Sequence, residues 1–211
     1  HKSDFALRKQ DWNIVGLSET ASESLEAVIK GFRPTVLIGT TGQSGDFTPD
    51  VIRAMAAACQ RPLIFALSNP TSKAECTPKE ALQYSDGRAI VATGSPFEPV
   101  VFQGRMRRIG QCNNVFVFPG IGLGVLIGKA TTVSQRMFLA AARELARYTK
   151  ATTGSEEVLY PRLSNLRDVS GRIALAVART AHQEALSAKP DEASLEAAIE
   201  AFRWFPDYRA N

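Results

Sequence analysis

An α/β fold with a doubly wound parallel sheet, followed by a helical region, is what this chain predicts, and three repeats of one pattern predict it. Thr35–Ile38, Leu63–Leu67 and Arg88–Ala92 are short apolar or β-branched runs, each opening into a polar turn rich in Gly, Ser, Thr or Asn. After the first two turns a helix restarts on a capped proline, at Thr48-Pro49 and at Thr77-Pro78. Strands joined through helices pair in parallel, because a helical crossover brings the chain back to the same edge of the sheet. Ligands of open parallel sheets sit beyond the carboxyl ends of the strands. The three polar turns lie at that place.

The first element in order is a helical spacing of modest strength over Ser18–Lys30, with Leu25, Val28 and Ile29 on one side, closed by Arg33-Pro34. The strand from Thr35 enters the loop 39–47, which holds three glycines. Thr48 then supplies an N-cap, Pro49 the first helical position and Asp50 an early acid, all favourable at a helix start. Pro62 opens the second strand, and Ser68-Asn69-Pro70 ends it. Those three residue types favour turns in any protein, so a bare turn and a ligand site both stand as readings. Thr77, Pro78 and Glu80 form a capping box.

Beyond the third strand, Val100–Gln111 reads as a hairpin turning at Gly104. Asn113 and Asn114 are poor strand formers placed just before an apolar run, where a buried amide needs partners or costs about 1–3 kcal/mol. Backbone groups or a ligand can supply them, and the ligand is the expectation here. Gly120, Gly122 and Gly124 do not complete a G-x-G-x-x-G fingerprint, because Val125 stands at the last glycine position. Gly120, Gly124 and Gly128, spaced four apart, instead predict a smooth helix face packed close to a neighbour. Everything after Ser134 reads as helical. One apolar stripe is Phe138, Leu139, Ala142 and Leu145, a second Val169, Ile173, Val177 and Ala181, and a third Leu195, Ile199 and Phe202. The aromatic tail Trp204–Tyr208 lies outside any stripe and is expected to pack on a neighbouring subunit or on its own domain.

Composition narrows the class. With 211 residues, 45% apolar and 22% charged, the chain is an ordinary globular protein able to bury roughly 70% of its unfolded surface. A net charge of +4 without a Lys/Arg run speaks against nucleic acid, and the Arg105, Arg107, Arg108 cluster reads as a solvated hairpin face. Cys59, Cys76 and Cys112 are far apart, with no CxxC pair and no histidine at metal-ligand spacing. That points to a reducing, cytoplasmic setting rather than to disulfides or zinc. No apolar run is long enough to span a bilayer, and none resembles a signal peptide. The start at His1, directly in charged sequence, suggests a piece of a longer chain.

Five motifs in order then resemble those of the malic enzymes. They are Ile38-Gly39-Thr40-Thr41-Gly42 with Phe47-Thr48-Pro49; Pro62–Thr71 with Ala74-Glu75-Cys76-Thr77; Thr93-Gly94-Ser95-Pro96-Phe97; Gln111-Cys112-Asn113-Asn114 with Phe118-Pro119-Gly120; and Leu159-Tyr160-Pro161 with Val169-Ser170. The resemblance covers about Lys30 to Leu186, and five ordered motifs are far more specific than any one. It implies a Rossmann-like sheet incomplete at its N-terminal side, with residues 1–118 a partial dinucleotide-binding domain and 119–211 helices packing on it. It also implies oxidative decarboxylation of malate to pyruvate and carbon dioxide, with NAD or NADP as hydride acceptor and Mg²⁺ or Mn²⁺ as Lewis acid, in a homo-oligomer.

By the same resemblance Asn69, Asn113 and Asn114 contact substrate, and Gly39, Thr40, Thr41, Gly42, Leu67, Ser68, Asn69 and Asn114 line the cofactor. The family's metal-ligating acids, catalytic Lys and Tyr and phosphate-binding glycine loop match nothing in this sequence. No catalytic residue and no metal ligand is therefore assigned here, and the 211 residues alone are expected not to turn over malate. Cys112 stands where many family members have Gly. A non-catalytic nucleotide-binding or assembly module is the alternative. An acyl or phosphoryl transferase is disfavoured, since neither a P-loop lysine motif nor a G-x-S-x-G elbow occurs.

Overall fold

The computed structural model describes residues 2–6, 8–16, 24–187 and 192–203. The chain divides into two compact units, His1–Cys112 and Asn113–Asn211.

The first unit begins with a short helix, α1 (Lys2–Phe5), and a 3₁₀ segment at Lys9–Val15. Helix α2 (Leu25–Phe32) starts where the Ser24 hydroxyl accepts the Ala27 N–H at 3.1 Å, and it ends at Arg33 in the left-handed region. Residues 18–23 of the helix expected there lie outside the described residues. Strand β1 (Val36–Gly39), helix α3 (Pro49–Ala58), strand β2 (Leu63–Ala66), helix α4 (Pro78–Tyr84) and strand β3 (Ile90–Thr93) follow in alternation. The caps read from the sequence form. The Thr48 hydroxyl accepts from Val51 N–H, and Thr77 and Glu80 exchange side-chain and backbone bonds as a capping box.

The three strands are parallel and adjacent, in register Val36–Leu63–Ile90 through Gly39–Ala66–Thr93. Leu37, Ile64, Ala66 and Val91 turn to one face and pack with Ile29 of α2, Ile52 and Met55 of α3 and Ala81 and Leu82 of α4. Burying the larger of these side chains contributes about 1.5–3 kcal/mol apiece. It also fixes register, because a slip by one residue would turn the other face inward.

Past β3 the structure corrects the sequence. The hairpin is only β4 (Val100–Phe102) with β5 (Arg105–Arg107), turning at Gln103 and Gly104, both at positive φ as a two-residue hairpin requires. Gly110–Gln111 leaves it and joins β3 as a fourth parallel strand, β6. A parallel return needs a dozen or more residues of crossover. Here residues 94–109 provide it without a helix, and this crossover packs Val100, Phe102 and Ile109 against the core instead.

The second unit is helical: α5 (Phe118–Gly128), α6 (Gln135–Thr153), α7 (Leu166–Gln183) and α8 (Glu192–Phe202). It is not helical throughout after Ser134, since Gly154 at φ +59 ends α6 and α7 begins only at Leu166. Helices α5 and α7 approach closely along the predicted glycines. A Cβ on Gly120 would meet Ile173, one on Gly124 the Ala174 carbonyl, and one on Gly128 the Ala178 methyl. Val169, Ile173, Val177 and Ala181 of α7 are fully buried, as their spacing predicts.

On α6 the buried face is Met137, Ala141, Leu145 and Tyr148, and Phe138 and Leu139 stand exposed. Of the expected stripe Leu145 is buried and Phe138, Leu139 and Ala142 are exposed, because two adjacent apolar faces both keep the 3–4 spacing. On α8 Leu195 and Ile199 are buried and Phe202 is exposed. Tyr160 stacks on buried Phe116 at 6.3 Å between ring centroids, so this part of the fifth motif packs the core. The aromatic tail Trp204–Tyr208 lies outside the described residues. No described helix is long and apolar enough to cross a membrane.

Candidate functional site

The carboxyl ends of β1, β2 and β3 carry the loop from Gly39, the turn Leu67-Ser68-Asn69 and the turn Thr93-Gly94-Ser95. The strands are in register, so the three segments lie side by side and form one polar rim. Two sets of hydrogen bonds hold it.

The first set converges on Glu75, a fully buried carboxylate. Thr41 N–H donates to Oε1 at 2.9 Å, with the Thr41 hydroxyl 3.3 Å from the same oxygen. Ser68 donates to Glu75 twice, through its hydroxyl to Oε1 and through its backbone N–H to Oε2 at 3.3 Å. The Ser68 oxygen accepts in turn from Gly42 N–H at 2.8 Å. The main-chain carbonyl of Glu75 accepts Phe47 N–H at 3.0 Å. The loop 40–47 is thus clasped at both ends by one residue.

Burial works to raise the Glu75 pKa, but the bonds from Ser68, Thr41 and its own and the Ser68 backbone outweigh it. The carboxyl stays below the usual range and ionised at neutral pH. Gly39 makes the arrangement possible: a Cβ there would lie 2.6 Å from the Glu75 carboxyl carbon and 2.7 Å from the Phe47 ring. Next along the chain, burial and then the charges of Glu80 and Glu75 push the Cys76 thiol up to about 12. That thiol is a core group and not a nucleophile.

The second set centres on Asn69. Its Oδ1 accepts from the Ser95 hydroxyl at 2.5 Å, and its Nδ2 donates to the Leu67 carbonyl at 3.3 Å. Thr93 donates its hydroxyl to the Ser95 carbonyl at 2.8 Å, and Gln111 Nε2 donates to the Gly94 carbonyl at 3.1 Å. Gly94 lies so near the neighbouring turn that a Cβ would sit 2.1 Å from the Leu67 carbonyl oxygen. The Asn69 side chain remains exposed although both ends of its amide are engaged.

Of the residues expected to line a cofactor, Gly39, Thr41, Gly42, Leu67, Ser68 and Asn69 come together on this rim, and Thr40 lies exposed beside them. Asn113 and Asn114 belong to the second unit. The expectation that their amides turn inward is corrected. Asn113 caps the 3₁₀ segment Asn114–Phe116 by accepting Val115 N–H at 3.0 Å, and Asn114 is exposed. The short turn satisfies one amide from the backbone and swings the other to solvent. Glu75, Thr93, Gly94 and Ser95 stand in the motifs, but nothing in the sequence marks their roles on the rim. An acid between Ala74 and Cys76 was the available hint of a buried charge.

The rim fits an extended cofactor lying on backbone. Gly42 at φ +72 and Gly45 at φ +85 have open space where a Cβ would be. It does not fit a metal cage: among the described residues no group of three or more His, Cys, Asp or Glu side chains is placed to hold an ion.

Comparison with known proteins bears on the family and the fold. The family model described as "Malic enzyme, NAD binding domain" matches residues 1–182. A NAD-dependent malic enzyme of Pseudomonas aeruginosa is 45% identical over 205 residues, covering 97% of this chain and 36% of the relative. One of Pseudomonas syringae pv. tomato is 46% identical over 212 residues, covering 98% of this chain and 38% of the relative. The chain therefore spans little more than a third of the length of these relatives. Among solved structures, the malic enzyme of Pyrococcus horikoshii superposes with a TM-score of 0.67 at 30% identity, over 84% of this chain and 36% of that one. The Entamoeba histolytica malic enzyme gives 0.69 at 24% identity, over 88% and 35%, and supports the fold. With sequence and structure in accord, this chain belongs to the malic enzyme family, in the part that its NAD-binding domain describes.

Proposed function

We propose that this chain forms the nicotinamide-side wall, and part of the substrate site, of an enzyme that oxidatively decarboxylates malate to pyruvate and carbon dioxide. The observation that carries the reading is the rim itself, in which loops beyond three parallel strand ends are locked together by a buried carboxylate and by Asn69. Such a crevice is where open α/β sheets bind ligands. NAD is the acceptor that the names of the relatives suggest, and NADP is its competitor. The cofactor, when bound, accepts hydride from C2 of the hydroxy acid.

The residues of this chain bind and orient. The loop 39–42 with Leu67 and Ser68 presents a backbone surface pre-ordered by its hydrogen bonds, and little ordering entropy remains to oppose cofactor binding. Asn69, Asn113 and Asn114 supply neutral amides, which can donate to substrate carboxylates without adding a fixed positive charge. Ser95 fixes which way the Asn69 amide points, because its hydroxyl holds Oδ1 and leaves Nδ2 as the donor end. Mg²⁺ or Mn²⁺ would serve as Lewis acid in this chemistry. The described residues offer no cage for it, so no step through a metal is assigned to them. Three cysteines that form no disulfide, one of them buried, support a cytoplasmic, reducing setting.

The test is kinetic. In the full-length protein, Asn69→Ala or Asn114→Ala should lower kcat/KM for malate about 10–100-fold, the loss of a hydrogen bond to a charged group worth roughly 1.5–3 kcal/mol. Kinetics unchanged in both variants would leave these amides structural and remove the substrate site from this chain. A protein that binds NAD and never reduces it would favour the second reading, a non-catalytic nucleotide-binding module.

A further inference from the structure

We infer that Glu75 is the positioning residue of the cofactor wall, setting the loop 40–47 against Ser68 so that the surface is already formed when NAD arrives. The inference rests on the functional reading above and deepens it.

Four features argue for the role. Glu75 binds both ends of the loop, by its carboxylate at Thr41 and by its carbonyl at Phe47. Between those ends, residues 43–45 are exposed, with Gly42 and Gly45 in the left-handed region. A loop with such glycines is loose unless clamped. The Ser68 hydroxyl donates its single proton to Glu75 and therefore turns its lone pair to Gly42 N–H. The charge thus dictates the direction of the whole relay. Finally, a buried carboxylate is costly unless fully bonded, and a core packed only for stability would do as well with an apolar residue. Here, its own backbone N–H apart, the donors to the carboxylate are Thr41 and Ser68, from the two segments that build the wall.

The substitution Glu75→Gln keeps shape and volume but puts an amide NH₂ against the N–H of Ser68 or of Thr41. Two donors then face each other, and the loop must swing away. In the full-length protein, NAD and malate are each varied for wild type, Glu75→Gln, Ser68→Ala and the double variant. The expected result is a NAD KM raised about tenfold in Glu75→Gln, roughly one charged hydrogen bond's worth, with malate KM moved less than twofold. Ser68→Ala should raise the NAD KM by less. The double variant should match Glu75→Gln rather than the product of the two single effects, because both residues act in one relay.

A merely structural role would not give this pattern. Loss of folded enzyme lowers apparent kcat and leaves the KM of the surviving molecules alone. A NAD KM within twofold of wild type in Glu75→Gln overturns the inference and leaves the functional reading in place. If Glu75→Gln does not fold, Ser68→Ala decides, since it cuts the relay and spares the Thr41 bond; an unchanged NAD KM there also overturns it. Wild-type protein that neither binds nor reduces NAD would overturn the functional reading and with it the assignment of Glu75.

Discussion

Glycine is used in opposite ways in the two units. On the sheet rim, Gly39 and Gly94 make room for polar groups to meet: the Glu75 carboxylate lies against the first, and the Leu67 carbonyl and Asn69 amide against the second. In the helical unit, Gly120, Gly124 and Gly128 make room for apolar side chains and backbone of α7. The rim glycines therefore guard the geometry of a site, whereas the helix glycines guard packing density. Disturbing the first should show in kinetics, and disturbing the second in stability.

The largest effects should come from adding one methyl at the tightest point of each. The Cβ of Gly94→Ala would lie 2.1 Å from the Leu67 oxygen, and that of Gly124→Ala 2.5 Å from the Ala174 oxygen. Backbone cannot yield as a flexible side chain does, so overpacking should cost about 1–3 kcal/mol or more in both. Urea midpoints should fall in both. Only Gly94→Ala should also lose malate turnover per folded molecule, because the turn it displaces carries Asn69. A folded Gly94→Ala protein with wild-type kinetics would break the contrast.

These contrasts were only partly legible in the sequence. The helix starts at Thr48 and Thr77 were readable because a cap is settled within four residues. The α5 glycine face was readable because its period is helical and its neighbours are apolar. Strand β6 was not: two residues, Gly110 and Gln111, carry no periodicity, and only pairing with β3 makes them a strand. The buried side of α6 is not readable because Phe138 and Leu139 follow Met137 and look equally apolar; what lies opposite decides. Glu75 was invisible as a hub for a similar reason, since its partner Thr41 stands 34 residues away. Asn114 shows the converse: the burial inferred from the apolar run after it fails at a turn too short to bury both amides.

A smaller effect sharpens the polar half of the contrast. The Glu75 pKa lies below its ordinary value of 4.5 in the folded state. Between the two values the unfolded chain binds more protons than the folded one, so stability rises with pH there. The contribution is complete above about pH 4.5 and drains away as pH falls through the folded value. Urea unfolding followed from pH 7 down to pH 3 should therefore show an acid-side loss that Glu75→Gln flattens. Variants confined to the helical unit should keep it. An identical acid profile in Glu75→Gln would mean that the carboxylate is not selectively stabilised by its partners.

The smallest effect has the opposite sign and tests the helical half with its own internal control. Gly122 lies in α5 between Gly120 and Gly124, yet it is exposed and a Cβ there would meet nothing within 4 Å. Glycine inside a helix costs about 0.5–1 kcal/mol relative to alanine, because its backbone has more freedom to lose. Gly122→Ala should accordingly raise the urea midpoint by that modest amount, while Gly124→Ala, two residues on, lowers it. Helix propensity alone would make the two substitutions alike, and packing alone would make Gly122→Ala silent. Only a helix whose glycines are required on one side and incidental on the other gives both signs from the same change of residue.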